Sequence, residues 1–140
     1  MSNLIFDENC IFCKIIKGEI PSYKVYEDEQ VLAFLDITPV NLGHTLVISK
    51  NHYTSLEDIP EDEFLAVMRI VKKLGNKIKT CLNLEGYNLG LNNGEVAGQT
   101  VPHVHFHIMP RKSGDGYQAW HGKEGYSQEE MEDVLESIKL

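Results

Sequence analysis

Residues 103 to 107 read His103-Val104-His105-Phe106-His107, placing three of the chain's six histidines at every second position. Side chains alternate between the two faces of a β-strand, so on a strand the three imidazoles share one face while Val104, Phe106 and Ile108 take the other. On a helix, residues two apart lie about 200° apart, which would throw His105 to the far side from its neighbours. The β-branched and aromatic residues between the histidines favour the strand. One face is expected to bind and the other to pack. A strand rises roughly 3.3 Å per residue, so the Cα atoms of His103 and His107 would lie about 13 Å apart, too far for one ion to hold all three. Alternating neighbours can still share a metal as a His-x-His pair; otherwise the histidines serve different partners.

The rest of the chain supplies a mixed α+β frame. Cys10 to Gly18 reads as a short helical turn that Gly18 ends and Pro21 keeps from continuing. Residues Tyr23 to Glu27, Val31 to Ile37 and His44 to Lys50 read as strands separated by turn residues. The links are too short for parallel crossovers, which need about a dozen residues or more, so antiparallel pairing is expected. Pro60 to Leu82 predicts one long helix, with Pro60 at N1, Glu61, Asp62 and Glu63 in its first turn and Lys72, Lys73, Lys77 and Lys79 toward its end. Its apolar stripe, Phe64, Val67, Met68, Val71, Leu74, Ile78 and Cys81, is expected to face the core. Gly75 inside it costs about 1 kcal/mol against Ala, a cost consistent with close packing. Tyr87 to Asn92 reads as a further strand, and Asn93 to Gly98 as the loop that feeds the histidine strand. Ser127 to Leu140 reads as an acidic amphipathic helix, with Ser127 as N-cap and Met131, Val134, Leu135 and Ile138 on one side. We therefore expect one domain over residues 1–140, with a core at about 10–111, a tail from 112, and a sheet of about five antiparallel strands.

Composition narrows the function. With 42% hydrophobic and 24% charged residues, the 140-residue chain has the make-up of a globular protein. The net charge of −8, with seven acidic residues against Lys123 and Lys139 from Asp115 onward, leaves no broad basic surface for a nucleic acid polymer. A small phosphate ligand remains compatible, because local donors act against an unfavourable long-range field. No run approaches a membrane span, and the first residues lack the pattern of a signal peptide, so no membrane partner and a cytoplasmic location are expected. Three cysteines without an export signal argue against a disulfide framework. Cys10 and Cys13 have the spacing of a zinc knuckle or a thiol redox pair, or are simply two small buried residues. The strands that follow do not supply the context a redox pair would want. For zinc, His52 and His103 are the best candidates to complete four ligands.

Gln99-Thr-Val-Pro-His103-Val-His105-Phe-His107-Ile-Met109 resembles the signature of the histidine-triad (HIT) superfamily of nucleotide hydrolases and transferases. The resemblance continues through Phe34-Leu-Asp36-Ile-Thr-Pro39, Gly43-His44-Thr-Leu-Val-Ile-Ser-Lys50, His52 and Asn92-Asn-Gly94. It implies the HIT-like fold, a homodimer in which each half contributes strands to one larger sheet, and a purine nucleotide as small-molecule substrate. The Gly86 to Asn92 strand with the long helix could form the dimer face. In some relatives a Cys-x-x-Cys joins two histidines at the places of Cys10, Cys13, His52 and His103, which implies a structural zinc.

The same resemblance assigns roles. His105 would attack the α-phosphorus of a nucleotide to give a nucleotidyl-histidine that water hydrolyses, a task for which a neutral imidazole is suited. His107 and Asn92 would contact the phosphate, Gln99 and Thr100 would offer donors near the bond being broken, and His44 would support the network; without the resemblance, His44 reads as capping a loop with a satisfied ring. Many relatives carry Ser where this chain has Thr100. Asp36 would accept the ribose hydroxyls, although by itself an Asp before Ile-Thr-Pro reads as a turn residue. Phe12, Ile15, Phe34, Leu35 and Ile37 match the family's nucleobase pocket; by composition alone each would be core. The segment Cys10 to Ile16 and Phe34 to Pro39 resemble the purine nucleoside phosphoramidase branch, whereas Gly98 to Val101 with Met109 to Lys112 is also similar to diadenosine polyphosphate hydrolases. His107 favours hydrolysis, since the uridylyltransferase branch has Gln there. Trp120 and His121 lie in the variable tail, on the leaving-group side or simply packed. A nucleotide-binding or partner-binding module without catalysis is the competing non-enzymatic reading.

Overall fold

The computed structural model describes residues 3–140, so Met1 and Ser2, on which the signal-peptide expectation partly rests, lie outside the described residues. Five strands form one antiparallel sheet: β1 (Lys24–Glu27), β2 (Val31–Leu35), β3 (Thr45–Ser49), β4 (Gly86–Leu91) and β5 (His105–Arg111), in the spatial order β1-β2-β3-β5-β4. Three α-helices complete it: α1 (Ile11–Ile16), α2 (Glu61–Cys81) and α3 (Gln128–Ile138). The α+β, HIT-like architecture expected from the sequence is thus observed. No helix among the described residues is long and apolar enough to cross a membrane.

The sheet is covered on both faces by apolar groups, which gives two cores. On one face α2 buries Val67, Ile70, Val71, Leu74 and Ile78 against Val31, Ala33, Val47, Val104, Phe106 and Ile108. On the other, Cys10, Phe12, Cys13 and Ile15 at α1 pack against Leu32, Phe34, Leu46 and Ile48. The period of two in β2, β3 and β5 is what sends alternate residues to these two cores. Because β5 lies between β3 and β4, its histidines stand within the sheet and not at an edge.

Local departures from the expected elements have physical causes. Val31 to Ile37 is shorter than predicted as a strand, because Asp36 Oδ1 accepts the Thr38 N–H at 2.8 Å and turns the chain after Leu35. Pro60 is the N-cap and not N1: its ψ of 148° is extended, and its carbonyl accepts the first helical bond from the Phe64 N–H. The alternating histidine strand begins at His105; His103 sits in the bend just before it, its N–H donating to the Val101 carbonyl. Cys81 is exposed, correcting the expectation that it packs. The helix ends there, Asn83 turns the chain with φ +52°, and Leu84 folds back to close the core instead.

Gly75 is buried on α2 where an added Cβ would strike the Tyr87 hydroxyl of β4. Helix propensity alone would make Gly75→Ala stabilising by about 1 kcal/mol. Overpacking opposes it with roughly 1–3 kcal/mol. We expect Gly75→Ala to lower stability in urea denaturation, and Gly75→Ala with Tyr87→Leu to recover the loss; a stabilised single variant would refute the close contact.

Candidate functional site

The site is built where α1, the end of β2 and the triad-bearing β5 meet. Cys10 is the N-cap of α1 and its Sγ accepts the Cys13 N–H at 3.4 Å, so both sulfurs are held at one end of the helix. Sγ of Cys10 lies 3.5 Å from His103 Nδ1, and Sγ of Cys13 lies 3.4 Å from His52 Nδ1 and 3.7 Å from His103 Nδ1. Ligand atoms about 3.3–3.8 Å apart are what a tetrahedral zinc with Zn–S near 2.3 Å and Zn–N near 2.0 Å requires. His103 donates its Nε2–H to the Ser49 carbonyl at 2.8 Å, leaving the Nδ1 lone pair for the sulfur side. Burial pushes the Cys13 thiol up to about 11 and His103 down to about 4, so the histidine is a neutral ligand and a thiolate there calls for a cation. Asp7 Oδ2 stands 3.9 Å behind His52 Nε2. The four residues predicted as zinc ligands therefore converge, and their donor set fits the ion.

A chain of hydrogen bonds fixes the tautomers of the other histidines. His105 donates its Nδ1–H to the His103 carbonyl at 2.7 Å, which leaves the Nε2 lone pair free. The Val40 N–H donates to His44 Nδ1 at 3.0 Å, so neutral His44 carries its proton on Nε2. That proton goes to His107 Nδ1, 2.9 Å away, and neutral His107 must then carry its own proton on Nε2. His107 Nε2 is buried with no hydrogen-bond partner among the described residues. Desolvation keeps all three rings neutral: it lowers His105 and His44, and with His105 and His44 nearby it brings His107 down to about 4. Asp36, His44 and His107 are also close enough to surround a cation. The Val40 amide argues against that use, because it occupies His44 Nδ1 and makes Nε2 a donor.

These groups open on a cleft of about 280 Å³. It is lined by Phe12, Ile15, Phe34, Leu35, Asp36, Ile37, Thr100, His105 and His107, nine of the residues singled out in the sequence. Phe12 sets its ring edge-on to His105 at 5.1 Å and to Phe34 at 5.4 Å. Ile37 is at the rim, 82% exposed, and Leu35 is only partly buried, so neither is core. Asp36 fills the turn role read from the sequence: Oδ1 holds the turn through the Thr38 N–H and hydroxyl, while Oδ2 points toward His44 Nε2 at 3.7 Å.

Two expected residues stand elsewhere. Gln99 does not line the cleft: its Oε1 accepts the Gly94 N–H and its Nε2 donates to the carbonyls of Thr54 and Val101, so its amide braces the loop. In this structure both ends of its amide are occupied by backbone groups and do not face the cleft. Asn92 does not line the cleft either, its Nδ2 donating to the Gly98 carbonyl at 3.3 Å. It remains beside the site, since the β4–β5 register carried on one residue past Leu91–Phe106 puts it opposite His105. Sequence patterns missed the Val40 amide, a backbone group no motif displays. They also missed Ser22, whose buried, unpartnered hydroxyl lies in the cleft wall. Trp120 is 94% exposed and, with Tyr117 and Arg111, borders a separate hollow two residues along β5 from His107.

Residues 17–114 match the family model described as the HIT domain. A Candida albicans protein named adenosine 5′-monophosphoramidase is 48% identical over 108 residues, covering 74% of this chain and 71% of that protein. The crystal structure of a HIT family protein from Bacillus anthracis superposes with a TM-score of 0.86 at 45% identity, over 95% of this chain and 96% of that one. A zinc-bound histidine triad family protein from Mycobacterium smegmatis gives 0.74 at 35% identity, over 92% and 91%.

His107 yields a test in pH. Its value is lowered from 6.5 to about 4 on folding, so between those values the unfolded chain binds a proton that the folded chain does not. Its contribution to stability is therefore complete above pH 6.5 and is lost as pH falls toward 4. We expect the melting temperature of His107→Gln to decline less steeply over that window than that of the wild type; parallel declines would show that His107 is not held neutral.

Proposed function

The chain belongs to the HIT domain family, and we propose from that membership and the cleft's geometry that it is a hydrolase cleaving purine nucleotide conjugates at the α-phosphate. The observation that carries the proposal is the free Nε2 lone pair of His105 beside the unpartnered Nε2–H of His107. One is a nucleophile already in the right tautomer; the other is a donor awaiting an acceptor.

In the proposed reaction His105 Nε2 attacks the α-phosphorus and the bond to the leaving group breaks, giving a nucleotidyl-histidine. His107 donates to a phosphoryl oxygen as charge gathers there, and the leaving nitrogen, hydrogen-bonded by the Thr100 hydroxyl, departs as the free amine with one proton taken up from solvent. Water then attacks the phosphorus, the P–N bond to His105 breaks, one proton of that water returns to solvent, and the neutral imidazole is restored. His44 holds the His107 tautomer through both steps. Asp36 accepts from the ribose through Oδ2, and the base enters between Phe12, Ile15, Phe34 and Ile37. Asn92, opposite His105, supports the phosphate from the β4 side. A zinc ion held by Cys10, Cys13, His52 and His103 would supply structural cross-linking when bound. We further propose a homodimer joined along β4 and α2, acting in the cytoplasm.

Charge favours a phosphoramidate over a dinucleoside polyphosphate as substrate. Among the described residues lining the cleft there is no Lys or Arg, only the carboxylate of Asp36 and neutral histidines. A phosphoramidate carries one negative charge at the reacting phosphorus, which neutral donors can satisfy. A polyphosphate brings several and would call for cations. The match to a relative named adenosine 5′-monophosphoramidase agrees with this choice. A pure binding module has no use for a nucleophile and a donor held in complementary tautomers.

In single turnover with adenosine phosphoramidate, we expect wild type to accumulate a transient adenylate adduct by intact mass. His105→Ala should bind AMP yet form no adduct and lose turnover by at least 10⁴-fold, in the range seen when a catalytic nucleophile is removed. An unlabelled, inactive wild type would leave the binding-module reading in its place. Separately, the protein as purified should contain one zinc per chain, and chelation should lower its melting temperature by more than 5 °C, corresponding to a loss of about 1.5 kcal/mol or more. A zinc-free, equally stable protein would remove the four-ligand assignment.

A further inference from the structure

The loop that sets the His44 tautomer is itself fastened through one side chain. Residues 37–43 lie between β2 and β3 and carry the Val40 amide that donates to His44 Nδ1. A turn closes the loop, with the His44 N–H donating to the Asn41 carbonyl at 3.1 Å and Gly43 at φ +99°. Ile37 and Leu42 stand out toward solvent. Among the described residues, only the Asn41 side chain ties residues 37–43 by hydrogen bonds to anything outside 36–45. Its Nδ2 donates to the Pro110 carbonyl at 2.8 Å and to Asp115 Oδ2 at 3.0 Å. Both partners can only accept, so the orientation of the amide is settled.

Asp115 is firmly held in its turn. Its side chain is 6% exposed, and its oxygens accept from Arg111 Nε at 2.7 Å and Nη2 at 2.8 Å, and from the Lys112 and Tyr117 N–H groups at 3.1 Å. A two-pronged guanidinium pair fixes a carboxylate in direction as well as in place. The Arg111 guanidinium also keeps the Asp115 carboxyl well below the usual carboxylate range, so it stays an anion. Asn41 thus joins the His44 loop to the far end of β5, the strand that carries His107.

We propose that Asn41, clamped by Asp115, is a positioning residue that keeps the proton of His107 on Nε2. The inference rests on the donor role proposed for His107 and names the group that secures it. With the loop pinned, the Val40 N–H fills the His44 Nδ1 lone pair, His44 donates from Nε2, and His107 can only accept at Nδ1. Asp36 Oδ2 is 3.7 Å from His44 Nε2, beyond hydrogen-bonding distance, so the Val40 amide is the partner that decides. If the loop lifts, nothing holds His44 Nδ1 as an acceptor, and the ring is free to carry its proton on either nitrogen. Once that proton moves to Nδ1, the bond between His44 and His107 survives only with its direction reversed. The reversal puts a lone pair on His107 Nε2, where a phosphoryl oxygen needs a donor. The two rings therefore change together.

The first readout needs no substrate: two-bond ¹H–¹⁵N spectra of the labelled protein at neutral pH report which ring nitrogen is protonated. We expect His44 and His107 to be Nε2–H in wild type and in Leu42→Ala, an exposed change in the same loop. In Asn41→Leu both rings should become mixtures. In Asp115→Asn both should shift in the same sense but less, because the Pro110 carbonyl still holds the amide. The double variant should go no further than Asn41→Leu, since Asp115 acts through Asn41. With an adenosine phosphoramidate, Asn41→Leu should lower kcat by about 10- to 100-fold with little change in KM. Folded Asn41→Leu and Asp115→Asn variants that keep the wild-type ring pattern would overturn the proposal. So would a Leu42→Ala that changes the pattern equally, or an altered pattern with unchanged kcat. A wild type with the expected pattern that turns over no phosphoramidate would overturn the reaction and leave the positioning of His107 standing.

Discussion

The 2.7 Å hydrogen bond from His105 Nδ1 to the His103 carbonyl joins two chemistries through one residue. The ring of His103 faces the two sulfurs through Nδ1 and holds the Ser49 carbonyl through Nε2, while its N–H is tied to Val101. With ring and amide both anchored, the carbonyl has one direction in which to point, and His105 follows it. A neutral imidazole in solution exchanges its proton between two nitrogens. Here the buried carbonyl accepts only from Nδ1, so Nε2 keeps its lone pair before any ligand arrives. The metal-type cluster and His105 are thus neighbours in mechanics as well as in sequence.

How much of this could be read in the sequence follows from what each feature depends on. The alternation of His with Val, Phe and Ile depends on strand geometry alone, and it placed His105 and His107 on the cleft face as expected. The α2 stripe was also legible, because a 3.6-residue period reports which side is buried; it failed at Cys81, where the chain leaves the helix and Leu84 takes over the core. Gln99 was not legible. Its neighbours in sequence suggest the cleft, but three backbone groups from Gly94, Thr54 and Val101 claim its amide, and such claims arise only when the loop closes. The Val40 amide that sets the His44 tautomer carries no side-chain signature at all.

The electrostatics of the cleft run against a simple expectation for phosphate chemistry. The chain is acidic overall, and among the described residues those lining the cleft include no Lys or Arg to attract an anion. What they offer is a set of oriented neutral donors in a desolvated pocket, where a hydrogen bond is stronger than in water and needs no reorganisation at the moment of reaction. Burial serves this arrangement twice. It keeps His105 unprotonated and therefore nucleophilic, and it leaves His107 a donor with a single open direction.

α1 shows why the cluster and the cleft cannot be tuned separately. Six residues are too few for a helix to persist by its own hydrogen bonds. Its place is therefore set by what it packs on. Cys10 and Cys13 turn toward His52 and His103, while Phe12 and Ile15, from the same two turns, form a wall of the cleft. Phe12 touches both systems at once, its ring edge-on to His103 at 6.0 Å and to His105 at 5.1 Å. A shift of α1 that loosened the cysteines would move the apolar wall of the cleft and the packing around His105 together. The order of the cleft is in this sense inherited from the sulfur–imidazole cluster beneath it.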